Sequence, residues 1–152
     1  MFETRITRSY TMSAAHRLEG HPKCGRLHGH NYKIEVSLTS AALENGMVLD
    51  FGDLDKVVNR LLSDLDHRYL VSLENVENEC PYYKAIISSS TDILNHMAIH
   101  PIERTTAELI AQYFYDSLTA DLKYGQLFRV IGGAIIRVWE TDRSCATYHG
   151  VS

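Results

Sequence analysis

The segment Cys24-Gly-Arg-Leu-His28-Gly-His30 places a thiol and two imidazoles within seven residues, and a third imidazole, His16, lies a short way upstream. Imidazoles are good zinc ligands, and three protein ligands with one open position mark a catalytic rather than a structural zinc. In a strand, residues i and i+2 leave the same face. A strand that begins as early as His28 therefore sends both imidazoles to one side. If an antiparallel partner ends near His16, it brings the third nitrogen to the same point. The alternative is three unrelated histidines at a sheet end, hydrogen-bonded or solvated.

Cys24 carries two functional readings beside that of an inert apolar cysteine. Its neighbours Lys23, Gly25 and Arg26 are polar, flexible and positive, and nearby cations or a metal favour a thiolate. It could close a Cys-His₃ zinc site or act as a base beside an open one. Spacing alone leaves both possible.

Asp66-His67 is a second constellation, because a histidine oriented by a carboxylate is a general acid/base arrangement. Adjacent side chains rarely face each other, however, and a polar helix C-terminus explains the pair as well. Thr105-Thr106-Ala107-Glu108 matches the S/T-x-x-E capping box, which accounts for Glu108. Glu140 ends an apolar strand after Val138-Trp139, where packing explains an acid poorly. A carboxylate there can accept two adjacent N–H donors from a purine or pterin edge. His96 and His100 share an i, i+4 spacing, but no third ligand is near them in sequence.

These residues need a scaffold. Residues 4–16 and 31–39 read as strands, the second with Tyr32, Ile34, Val36 and Leu38 alternating against polar positions. A loop with Gly20, Pro22 and Gly25 joins them, and Glu44-Asn45-Gly46 marks a turn. Leu54, Val57, Val58, Leu61 and Leu62 recur at helical spacing over 53–64, as do Ala107, Ile110, Ala111, Phe114 and Leu118 over 106–119. Residues 127–140 read as a long strand with a bend at Gly132-Gly133, and 145–149 pairs back across Thr141-Asp142-Arg143. The stretch 72–102 reads as a long loop with a helix over Asp92–His100.

The chain of 152 residues suits one domain, 1–152, with its own core. Its composition, 45% hydrophobic and 22% charged with a net charge of −4, gives no electrostatic reason to expect nucleic-acid or membrane partners. The N-terminus lacks the apolar core of a signal peptide, and no apolar run spans a bilayer. Three widely spaced cysteines do not form a disulfide framework. A reduced, cytoplasmic setting is the expectation.

Together, Ala14-Ala15-His16-Arg17-Leu18, Cys24–His30, Leu65-Asp66-His67-Arg68-Tyr69-Leu70, Thr105–Glu108 and Val138-Trp139-Glu140-Thr141 resemble the 6-pyruvoyl-tetrahydropterin synthase / 6-carboxy-tetrahydropterin synthase family. The likeness runs from about residue 3 to 150, in the family's order; segment 72–102 is longer than in bacterial members. It implies an α+β tunnelling fold: a four-stranded antiparallel sheet with two helices on one face, plus the inserted segment at 72–102. It also implies homohexamers, dimers of trimers, with active sites between subunits. The implied substrate is dihydroneopterin triphosphate. The implied cofactor is Zn²⁺ on His16, His28 and His30. Cys24 takes the position of the proton-abstracting base, and Asp66 and His67 those of a proton relay. Glu140 takes that of the pterin anchor, sometimes grouped with the relay, and Thr105 and Thr106 lie near the pterin edge. Arg17, Lys23 and Arg26 are candidates for the triphosphate without motif support.

The family divides by product. Cys24-x-x-x-His28 resembles the branch that forms carboxy-tetrahydropterin with loss of acetaldehyde, used for queuosine and other 7-deazapurines. Glu140-Thr141-Asp142 looks more like the pyruvoyl-forming branch. The active-site loop carries more weight, because it touches the chemistry. A non-catalytic pterin- or nucleotide-binding protein with structural zinc is the third reading, and the presence of Cys24, Asp66 and His67 argues against it.

Overall fold

A computed structural model of the chain describes residues 3–72, 75–78, 81, 85, 97–100, 103–124 and 132–150. Strand β1 (Thr4–His16) and strand β2 (His28–Ser40) form a long antiparallel pair. Helix α1 (Phe51–Ser63) follows, then β3 (Arg68–Ser72), β4 (Met97–His100), helix α2 (Ala107–Tyr124), β5 (Gly133–Thr141) and β6 (Ser144–His149). The sheet order is β4-β3-β1-β2-β5-β6.

The expected antiparallel strands are present as β1, β2, β5 and β6. Two further strands make the sheet six-stranded. β3 pairs parallel with β1, and β4 pairs parallel with β3. Each was hidden for its own reason. Tyr69, Leu70 and Val71 form a short apolar run buried on both faces, and such a run shows no alternation to read. Met97–His100, expected to be helical, is a strand because Tyr69–Ser72 offers it a free edge. His100 thus sits in β4, while His96 lies outside the described residues.

Even-numbered residues of the central strands face the helices. Met12, Ala14, Tyr32, Ile34, Val36, Leu38, Ala134, Ile136 and Val138 are buried there against Leu54, Val58 and Leu62 of α1 and Ile110, Phe114, Leu118 and Leu122 of α2. Both helices therefore cover one face. Asp50 caps α1, its side chain accepting from Gly52 N at 2.7 Å. Asn45 and Gly46 both have positive φ between the bridged Glu44 and Met47, which is the primed turn that Asn-Gly favours.

Two local expectations shift. Gly133 starts β5 rather than bending it, and the irregularity lies between Trp139 and Thr141; residues 127–131 are outside the described set. The helix cap moves by one. α2 begins at Ala107, and Leu109 N donates to Thr106 Oγ1. Thr106 is therefore the cap, and Glu108 sits one place short of the position a capping box uses. Thr105 is released for a different task. No helix among the described residues is long and apolar enough to cross a membrane.

Candidate metal centre and active site

The β1–β2 register sets His16 directly opposite His28 and Ala14 opposite His30. All three histidines occupy the helix-facing parity, at the end of the sheet beyond the packed core. Their ligating nitrogens lie within 4.8 Å of one another, and their rings meet at centroid distances of 4.6–5.1 Å. Gly29, between two of them, is required by close approach: a Cβ there would stand 3.0 Å from the carbonyl oxygen of Ala14.

Two of the rings are held by their Nδ1 atoms. His16 Nδ1–H donates to Thr105 O at 2.7 Å, and His28 Nδ1–H donates to Arg26 O at 2.7 Å. A carbonyl can only accept, so in each ring Nε2 keeps its lone pair. Such outer contacts commonly orient metal-binding histidines. His16 Nε2 is buried and has no hydrogen-bond partner among the described residues. Burial pushes the His16 imidazole down to about 4; the Thr105 contact opposes this, and the neighbouring His28 and His30 add to it. The ring is thus neutral at physiological pH, as a metal ligand must be. A three-imidazole set with one orphaned, buried lone pair fits a zinc-type ion.

Cys24 is not part of the ligating cluster. Its thiol is free and half-buried, in a loop fixed largely by its own backbone. Leu18 N donates to Cys24 O at 2.7 Å, Gly25 N donates to His21 O, and His21 Nδ1 accepts from Cys24 N at 2.9 Å. A Cβ on Gly25 would fall 2.5 Å from His21 O, so the turn that presents Cys24 needs glycine. The same loop ends at Arg26, whose carbonyl holds His28.

Asp66 and His67 do face each other, contrary to the rule for neighbours. His67 adopts φ +58°, and this left-handed turn swings its Nδ1 to 2.8 Å from Asp66 Oδ2. The strand β1 anchors the turn from both sides: Ser13 N donates to Asp66 Oδ1 at 2.8 Å, and His67 N donates to Ser13 O at 2.6 Å. His67 is 80% exposed and Asp66 40%. His67, Ser13, Asn31 and His30 line an open groove of about 490 Å³.

Burial by itself would raise the Asp66 carboxyl. The Ser13 N–H and then His67 outweigh it and hold the group below its ordinary value of 3.8. A carboxyl held low contributes stability that is fully present above its unfolded value and is lost as pH falls through the lowered one. The Asp66→Asn variant should therefore show a shallower loss of stability below about pH 4 than the parent. Urea unfolding across that range checks this; parallel curves for the two proteins would show that the contacts to Asp66 are not formed in solution.

Glu140 shares the helix-facing parity of β5 and is partly buried. The β2–β5 ladder ends at Lys33–Trp139, one residue short of Tyr32 and Glu140. Burial first, then the Glu140 charge, raises the Tyr32 phenol far above its ordinary range. Thr105, itself buried, supplies the carbonyl that holds His16, and its hydroxyl donates toward Arg17 O at 3.4 Å. Thr106 is the helix cap. No motif marks Tyr32. The signal was present, since His28-x-His30-x-Tyr32 places all three side chains on one strand face.

A family model described as 6-pyruvoyl tetrahydropterin synthase matches residues 5–151 of the chain. The chain is 32% identical over 150 residues to 6-carboxy-5,6,7,8-tetrahydropterin synthase of Haemophilus influenzae, covering 95% of this chain and 97% of the relative. It is 32% identical over 128 residues to the protein of the same name from Aquifex aeolicus, covering 83% and 75%. The crystal structure of 6-pyruvoyl tetrahydropterin synthase from Plasmodium vivax superposes with a TM-score of 0.76 at 18% identity, covering all of both chains. That last likeness is one of fold.

Proposed function

This chain belongs to the 6-pyruvoyl tetrahydropterin synthase family and is a lyase of it, and from that premise we propose that it converts 7,8-dihydroneopterin triphosphate to 6-carboxy-5,6,7,8-tetrahydropterin. Acetaldehyde and triphosphate are the other products. The observation that carries the reading is the three-histidine cluster with its buried, unpartnered His16 Nε2, presented beside a loop whose only thiol is Cys24. The two relatives reported above carry the carboxy-forming name, and the three-residue gap between Cys24 and His28 agrees with that branch.

His16, His28 and His30 hold Zn²⁺, which supplies Lewis-acid polarisation of the substrate's side-chain oxygens. Thr105 and Arg26 keep two of the rings in the tautomer that leaves Nε2 as the ligand. Glu140 accepts the pterin's adjacent N–H groups and so sets the ring's orientation, with Thr105 and Thr106 along its edge. Cys24 takes a proton from the substrate side chain. Asp66 keeps the His67 ring oriented, and His67 moves protons on the other side of the substrate. The relay stands on β3's side of β1, whereas Cys24 belongs to the β1–β2 loop. An assembly of 17.3 kDa subunits with sites between chains unites such groups, and we take it to be a hexamer of two trimers. The exposed edge strand β6 is consistent with closure through neighbouring subunits. Light scattering reads the subunit number.

The deciding experiment is incubation of the zinc-loaded protein with 7,8-dihydroneopterin triphosphate, followed by product analysis. Carboxy-tetrahydropterin with stoichiometric acetaldehyde is the expected result. Pyruvoyl-tetrahydropterin without acetaldehyde assigns the chain to the other branch. Pterin binding without turnover would make it a binding protein with a structural metal.

A further inference from the structure

Tyr32 is fully buried at 0% exposure, yet its hydroxyl has no hydrogen-bond partner among the described residues. Buried polar groups are nearly always paired, so each exception needs an explanation. Tyr32 also continues the strand face of His28 and His30. Its ring centroid lies 5.3 Å from that of His30 and 6.0 Å from that of His16. The fold thus leaves two polar atoms unpartnered on rings whose centroids lie 6.0 Å apart: His16 Nε2, a lone pair with neither a donor nor a metal, and Tyr32 Oη, which lacks an acceptor.

We propose that Tyr32 is a positioning residue whose hydroxyl donates a hydrogen bond to the non-protein oxygen that completes the coordination of a metal held by His16, His28 and His30. With the metal bound, water or a substrate oxygen would supply that acceptor. The inference rests on the metal reading above but needs neither the pterin nor its product. Glu140 is the competing acceptor, since its charge acts on the phenol.

Tyr32→Phe tests this, because it removes the hydroxyl and keeps the ring. The metal-free variant should match or exceed the metal-free parent in melting temperature, since an unpartnered hydroxyl contributes nothing to the fold. Zinc affinity, measured by competition with a chelator, should fall about 10-fold, the scale of a lost outer-shell contact. Turnover should fall with it. Unchanged zinc affinity would overturn the proposal, and so would destabilisation of the metal-free variant, which would mean that the fold already pairs the hydroxyl. An effect on zinc that disappears in a Glu140→Ala background would assign the hydroxyl to Glu140 and also refute it. If the parent protein proves inactive on the pterin triphosphate while the effect on zinc stands, the function proposed above fails and the role of Tyr32 survives.

Discussion

Replacing Cys24 with alanine is expected to abolish turnover and leave zinc bound at full stoichiometry. The thiol, on the loop between β1 and β2, takes the position that the family likeness gives to the proton-abstracting base. Loss of a positioned general acid or base typically lowers the rate by about 10²–10⁴-fold. Zinc should remain, because the ligating cluster consists of His16, His28 and His30 without the thiol. The fold should remain too. The loop is held by the Leu18–Cys24 backbone bond and by the His21 imidazole that caps the Cys24 N–H, and none of these involves the sulfur. Metal analysis and a single-turnover assay on the same preparation decide the matter. A variant that loses zinc along with activity would make Cys24 a ligand and remove the base from the mechanism.

Replacing His30 with alanine should act in the reverse order, removing the metal and activity with it. His30 suits this test because it is only partly buried and lies beyond the packed core. Losing one of three ligands should weaken zinc by more than the roughly 10–100-fold of an outer-shell change. Stability provides a second readout. An ion that binds only the folded state stabilises it by about 4 kcal/mol when free metal exceeds the dissociation constant 1,000-fold. In a domain of this size that is about 8–16 °C in melting temperature. Chelator should therefore lower the melting temperature of the parent and leave that of His30→Ala unmoved. A parent indifferent to chelator, with no metal retained, would show that the three histidines do not form a zinc site.

These two results separate residues that hold the metal from a residue that works beside it. Spacing in the chain could not do so. Cys24 is four residues from His28, a distance compatible with ligation. What separates the two is the turn at Gly25, which gives the loop its own closed hydrogen-bond system rather than folding the thiol onto the imidazoles.

Much of the remaining site was legible because it depends on short-range periodicity. A strand alternates every residue, so His28 and His30 had to share a face, and Tyr32 with them. Leu54, Val58 and Leu62 repeat at helical spacing, so α1 had to present one apolar stripe. These regularities follow from backbone geometry within a few residues and need no knowledge of the rest of the molecule.

The three-dimensional arrangement decided whatever depends on partners distant in sequence or on a single dihedral angle. Thr105 holds His16 across 89 residues of separation, and only helix packing could bring that carbonyl there. Asp66 and His67 became a pair because Ser13 of β1 holds the Asp66 carboxylate and the His67 N–H while His67 takes positive φ; neighbours in extended or helical conformation would point apart. Met97–His100 became a strand because β3 left an edge open beside it. Residue types and spacing thus determined which groups could do chemistry and which face of a strand or helix each would take. Tertiary contacts determined which of them met, which tautomers they hold, and that His16 Nε2 and Tyr32 Oη are among the buried atoms left without a partner in the described residues.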